Sequence, residues 1–272
     1  MSSIRSWLVA ALLAGVASHA AAATVPAPTS VYVEELTWTE LRDAIAAGKT
    51  TVIVPVGGTE QSGPHMVLGK HNVRARILAG RIAQGLGNAL VAPVIAYVPE
   101  GSIDPPAGHM RFAGTISIPE GAFEATLEAA ARSFRRAGFR DIVLIGDHGG
   151  YQKSLAKVAA KLDREWAASP VRVHAVEEYY RASDREFAAL LRKQGLSDAE
   201  IGSHAGAADT SLALAADPQL VRSARLHDGR APAAGDGVSG DPRRATAALG
   251  SAGLDLIVAR TREAIVREVG RR

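Results

Sequence analysis

The chain has 272 residues, 47% of them hydrophobic and 22% charged, with a formal net charge of +3 and no cysteine. It is of ordinary globular composition, long enough for a substantial core in a single domain. The lack of cysteine excludes disulfides, thiolate ligands and a cysteine nucleophile, so any metal must sit on nitrogen and oxygen. Basic residues lie beside acids along helical stretches such as "RSFRRAGFR" and "ARTREAIVREVGRR", without interleaved aromatics, which argues against nucleic acid as a partner.

Residues 1–23 read as a signal peptide. Arg5 gives a short basic start, Trp7 to about Ala17 an apolar stretch, and small-residue cleavage sites fall within Ala20 to Ala23. An uncleaved membrane anchor is the alternative, but the apolar run is short for a span. No twin-arginine pair is present, so the general secretory route is expected, to a bacterial periplasm or the exterior. Removing Arg5 takes the charge from +3 to +2. No later apolar run is long enough to cross a bilayer, so no membrane contact is expected after cleavage.

The domain is expected over residues 31–270. Thr37 and Glu40 form a capping-box pattern ahead of a helix that Gly48 closes. "TVIVPVG" reads as a buried strand, followed by a helix from about Val73 to Leu86. "ALVAPVIAYV" and the shorter "GTISIP" read as strands, and Glu120 to Gly138 as an amphipathic helix. "RDIVLIG" is the next strand, then a helix from Gln152 to about Ala168, then "VRVHAVEEYY" as a strand. A Gly- and Asp-rich segment from Leu226 to Asp241 reads as a rim loop before the last helix. Strands alternating with helices predict an α/β/α sandwich around a mostly parallel sheet, with ligands beyond the carboxyl ends of the strands.

Polar clusters follow those strand ends. "EQSGPHMVLGKHN" carries Glu60, His65 and His71; "GDHGGY" carries Asp147 and His148; "SHAGAADTSLAL" carries His204 and Asp209, the last of which also suits a helix cap. Imidazoles and carboxylates on neighbouring loops suit zinc, manganese or iron, though no spacing matches HExxH.

Five collinear blocks carry a resemblance. "PVGGTEQSGPHMVLGKHN", "GHMRFAGTISIP", "GFRDIVLIGDHGGY", "HAGAADTSLAL" and "GVSGDPRRAT" resemble, in order and spacing, the motifs of the creatininase (creatinine amidohydrolase) family. The resemblance covers about residues 31–269. It implies an α/β/α sandwich, a homo-oligomer that is often a hexamer, and a two-metal site hydrolysing cyclic amides or related C–N bonds. Family ligands carry over at Glu60 and His148. The chain departs at Ser62, where the family has histidine, at His71, where it has a bridging aspartate, and at Gly150, where creatininase has glutamate. Asp209 shortens a family glutamate, and Asp147 and Tyr151 replace asparagines.

Two cations close together need a bridging anion, which a neutral imidazole at position 71 does not provide. The expectation is therefore one divalent ion per chain, zinc first and manganese or iron next, held by Glu60, His71 and His148 with Asp209 as a fourth ligand. His204 matches the family's proton shuttle, and His65 and His109 match pocket histidines. Asp147 is placed to orient His148. Lys70 is either an anchor for an anionic substrate or a surface charge. The insert-like "PEGSIDPPAGH" reshapes the substrate mouth and argues against creatinine itself. The expected activity is hydrolysis of an amide, a cyclic amide or a lactone in a small molecule. The alternative is a non-catalytic periplasmic binding or assembly protein with a degenerate metal site.

Overall fold

A run of β-branched residues builds the central strand of the sheet. β1 (Thr51–Val56) is buried along its whole length and pairs in parallel with β2 (Ala89–Val91) on one side and β3 (Asp141–Gly146) on the other. β4 (Arg172–Ala175) adds to the far side of β3, so the order is β2-β1-β3-β4, all parallel. The computed structural model describes residues 30–233 and 235–270; the expected signal peptide over residues 1–23 lies outside them.

The helices follow in chain order: α1 (Trp38–Ala46), α2 (Lys70–Leu86), α3 (Glu120–Ala137), α4 (Gln152–Glu165), α5 (Glu178–Arg181), α6 (Phe187–Lys193), α7 (Asp198–Ile201), α8 (Ala207–Ala216), α9 (Ser223–Leu226) and α10 (Ala247–Val269). Alternate strand residues face opposite cores. Ile53, Val143 and Ile145 pack against Leu78 and Ile82 of α2, Leu212 of α8 and Leu254 and Ile257 of α10. Val52, Val54, Ile142 and Leu144 pack against Phe123 and Leu127 of α3 and Leu155 and Leu162 of α4, with α1 at the margin. The result is the three-layer α/β/α architecture expected. Each such fully buried side chain contributes roughly 1.5–3 kcal/mol through apolar burial.

The helix punctuation acts as expected at two ends. Thr37 and Glu40 form the capping box of α1, and Gly138 ends α3 in the left-handed region at φ 111°. Other boundaries move for physical reasons. "ALVAPVIAYV" is a strand only to Val91; Pro93, with no N–H to donate, interrupts the ladder, and Ile95 rejoins it through a single bridge to Val56. "GTISIP" is not a strand: Ile116 and Ile118 donate singly to the carbonyls of Thr59 and Val98. β4 stops at Ala175, and α5 follows and sends Tyr179 into the core. The helix expected from Val73 begins at Lys70, so Lys70, His71 and Arg74 share its first turns.

The topology places the site. From β1 the chain moves to β2 on one side and then crosses to β3 on the other, so the β1/β3 pair is the point where the strand order reverses. The loops after β1 and β3 diverge there and open a crevice at the carboxyl edge. Val56 and Gly146 pair at that edge, with Glu60 and His148 just beyond.

Candidate metal centre

A cavity of about 270 Å³ opens at this edge, lined among others by Glu60, His109, His148, Tyr180, His204 and Asp209. Glu60 is its floor and is fully buried. Its Oε1 takes a hydrogen bond from His71 Nε2 at 2.8 Å, and His204 Nδ1 lies 3.7 Å from the same oxygen. Its Oε2 faces His109 Nε2 at 3.6 Å and His148 Nε2 at 3.7 Å. Burial alone would raise the Glu60 carboxyl. The bond from His71 and the charges of His71 and Lys70 outweigh it and hold the group well below the usual carboxylate range.

Beneath Glu60 lies a closed set of charges. His71 bridges Glu60 and Asp147, with Nδ1 2.6 Å from Asp147 Oδ2. Arg74 binds Asp147 through Nε, at 2.9 and 3.1 Å, and Asp209 through Nη1 at 2.8 Å. Lys70 closes the set on Asp209, and Tyr179 donates to Asp147 Oδ1 at 2.7 Å. Burial and the Lys70 charge would lower His71, but the carboxylates of Asp147 and Glu60 raise it; with a carboxylate oxygen on each ring nitrogen, both nitrogens donate and the ring is a cation between two anions. Three carboxylates therefore face three cations, and the set balances without an added ion.

This changes the roles expected for two residues. His71 and Asp209 do not stand as open ligands: both His71 nitrogens donate to carboxylates, and Asp209 is saturated by Lys70, Arg74 and the backbone N–H of Ala205. Asp147 orients His71 rather than His148. Lys70 is neither an anchor for substrate nor a surface charge, being buried against Asp209. His65 is buried away from the cavity, its Nε2 2.9 Å from Thr210 Oγ1.

Gln61, which sequence reasoning passed over, assigns the tautomers of two histidines. Its Oε1 accepts from Gly63 N and its Nε2 donates to Gly237 O, which fixes the amide orientation. The second Nε2 hydrogen goes to His109 Nδ1 at 2.7 Å. Neutral His109 thus carries its proton on Nε2, the atom that faces Glu60. His204 Nε2 donates to Gln61 O at 2.9 Å, leaving the Nδ1 lone pair facing Glu60. Burial, reinforced by the Lys70 charge, lowers His204 to about 4. Ala205, next in the chain, sits in the left-handed region at φ 55°, a conformation that holds this turn at some cost.

Glu100 is the second residue passed over. It comes from the "PEGSIDPPAGH" segment and is buried, and neither carboxylate oxygen has a hydrogen-bond partner among the described residues. Burial, and then the nearby Glu60 charge, push it up to about 8. His148 lies between the two glutamates: Nδ1 is 3.7 Å from Glu100 Oε2 and Nε2 is 3.7 Å from Glu60 Oε2. Burial lowers His148 to about 4, Glu60 opposing, so the ring is neutral and keeps a lone pair.

Whether these groups suit a cation can be judged from their unmet needs. Glu60 Oε2 and both Glu100 oxygens are buried acceptors without donors, an arrangement that ordinarily costs about 1–3 kcal/mol per group and that a cation relieves. Ser62 Oγ likewise has no hydrogen-bond partner among the described residues. Two sets of side chains converge closely enough to share an ion: Glu60, Glu100 and His148, and Glu60, His109 and His204. In the second, His109 turns an N–H toward Glu60 and offers no lone pair there. In the first, the competing bond among the described residues is from the exposed Gly150 N–H to His148 Nδ1, and water can replace it, freeing that lone pair beside Glu100. The first set fits a divalent ion.

The chain is similar to proteins of one family. The sequence profile described as "Creatininase: Creatinine amidohydrolase" matches residues 34–265. A creatinine amidohydrolase of Pseudomonas putida is 31% identical over 204 residues, covering 73% of this chain and 76% of that protein. A mycofactocin precursor peptide peptidase of Mycolicibacterium smegmatis is 31% identical over 220 residues, covering 73% and 77%. A crystal structure of creatinine amidohydrolase superposes with a TM-score of 0.74 at 27% identity, covering 90% of this chain and 100% of that one. Similar solved creatininases include a Zn–Zn type and a manganese form.

Proposed function

Because this chain belongs to the creatininase family of amidohydrolases, we propose that it hydrolyses an amide or cyclic amide C–N bond, or a lactone, in a small molecule, using one divalent ion per chain. The observation that carries the reading is the open face of Glu60. A fully buried carboxylate keeps one oxygen unpartnered toward the cavity, with the imidazoles of His109 and His148 3.6 and 3.7 Å away. Glu60 and His148 would hold the ion. When bound it polarises the scissile carbonyl and acidifies water, and zinc, manganese and iron all suit nitrogen and oxygen donors.

The chain's own residues supply the rest. His204 is neutral at pH 7 and presents the Nδ1 lone pair to the cavity, so it takes up the proton of the attacking water and returns it to the leaving nitrogen. His109 presents an N–H to the same space and is placed to donate to the carbonyl oxygen as charge develops. Gln61 holds both rings in the tautomers these roles need. Lys70, His71 and Arg74 already engage Asp147 and Asp209, two carboxylates that would otherwise attract a second ion, which supports a single one.

The reading also includes secretion to a periplasm or the exterior through residues 1–23, and assembly as a homo-oligomer of hexameric type. Intact mass and native mass of the exported protein test both. The rival, a binding or assembly protein without activity, draws on the departures at Ser62 and Gly150. Metal content followed by a hydrolysis screen of cyclic amides, short peptides and lactones separates the two. Loaded protein should turn over at least one class, and His148→Ala should lose both metal and activity. A variant that keeps its metal and its rate would refute the site.

A further inference from the structure

We propose that Glu100 supplies the third protein donor to the ion held by Glu60 and His148, delivering from a different segment of the chain the carboxylate missing at Gly150. The inference rests on the metal-binding reading above and adds a ligand to it.

Three observations place Glu100 in that role. Its side chain is fully buried, yet both oxygens lack hydrogen-bond partners among the described residues. The carboxylate is aimed at His148, with Oε2 3.7 Å from Nδ1, and converges with Glu60 and His148 closely enough for all three to share an ion. A structural carboxylate would be expected to bond a backbone N–H or a cation. Glu100 bonds neither.

The neighbouring glycines show how room is made for it. Gly58 has φ +153°, and a Cβ there would lie 2.5 Å from Glu100 Oε1, so any side chain at 58 would expel the carboxylate. A Cβ at Gly150 would lie 3.1 Å from His148 Nδ1 and 3.8 Å from Pro99 O. The side chain that Gly150 lacks would thus enter the space beside His148 into which the segment at Pro99 and Glu100 now reaches. Ser117 Oγ pins that segment by accepting from the N–H groups of Glu100 and Gly101.

The test uses the whole mature protein stripped of metal, then titrated with zinc and with cobalt, comparing wild type with Glu100→Gln. Glutamine keeps the size and removes the charge, so the metal-free variant should fold and melt no lower than wild type. Its affinity for zinc should fall by at least about 10-fold. Cobalt reports the coordination sphere through its visible absorption, and at saturation the spectrum of Glu100→Gln should differ in shape and intensity. An affinity within two-fold of wild type, or an unchanged spectrum at saturation, overturns the assignment while leaving the metal reading intact. Failure of wild type to bind either ion overturns both.

Discussion

Glu100 shows how far a single buried carboxyl can mark a site. Burial, and then the Glu60 charge, keep its proton in place until about pH 8 in the metal-free protein, whereas in the unfolded chain an ordinary glutamate titrates at about 4.3. Between those values the folded protein keeps a proton that the unfolded chain has released, so this group's contribution to stability falls as pH rises and levels off above about 8. The slope is at most about 1.4 kcal/mol per pH unit. Metal-free wild type should therefore lose stability relative to Glu100→Gln between about pH 5 and 8, measured by denaturant midpoints; parallel profiles would contradict the burial argument. Residues of this kind were hard to read in advance. Glu60, His148, His109 and His204 stand in motifs where carboxylates and imidazoles cluster, and they meet in the cavity. Glu100 and Gln61 look like ordinary loop residues, because their roles depend on segments far apart in sequence: Glu100 on Gly58 and His148, Gln61 on Gly237 and His109.

At the scale of elements, the first turns of α2 matter most. Arg74 lies four residues after Lys70 and three after His71, beside both on the helix, and the three side chains meet Asp147 and Asp209. A helix expected only from Val73 does not show that Lys70 and His71 share its first turn with Arg74, so nothing in the sequence signals that both are engaged beneath the cavity. The start could not be placed from the N-cap, since Gly69 offers no side-chain cap. Likewise the run "VRVHAVEEYY" suits a strand by pattern, but β4 ends at Ala175 and α5 turns Tyr179 inward, where its hydroxyl donates to Asp147. Arg74→Ala would leave two buried carboxylates without their shared cation. It should destabilise the metal-free protein by about 3–5 kcal/mol in urea or thermal unfolding. A loss below about 1 kcal/mol would mean that Asp147 and Asp209 ionise less than their contacts imply.

For the whole molecule, the parallel α/β/α layering was the most legible feature, because apolar strands alternating with helices and ending in polar clusters leave few arrangements other than a parallel sheet with its site at the carboxyl edge; the strand order β2-β1-β3-β4 comes from the structure. The two cores on either face bury β1 and β3 along their length and so fix where the cavity opens. What the strand pattern could not convey is the charge balance beneath the cavity, which arises only when α2, α5 and α8 converge. That balance bears on the central claim: three cations already serve three of the carboxylates, so the remaining unpartnered oxygens suit one ion. The direct measurement is elemental analysis of purified, dialysed protein against its folded-chain concentration. The account predicts close to one zinc, manganese or iron per chain; a value near two, or near zero after incubation with excess metal, would contradict it.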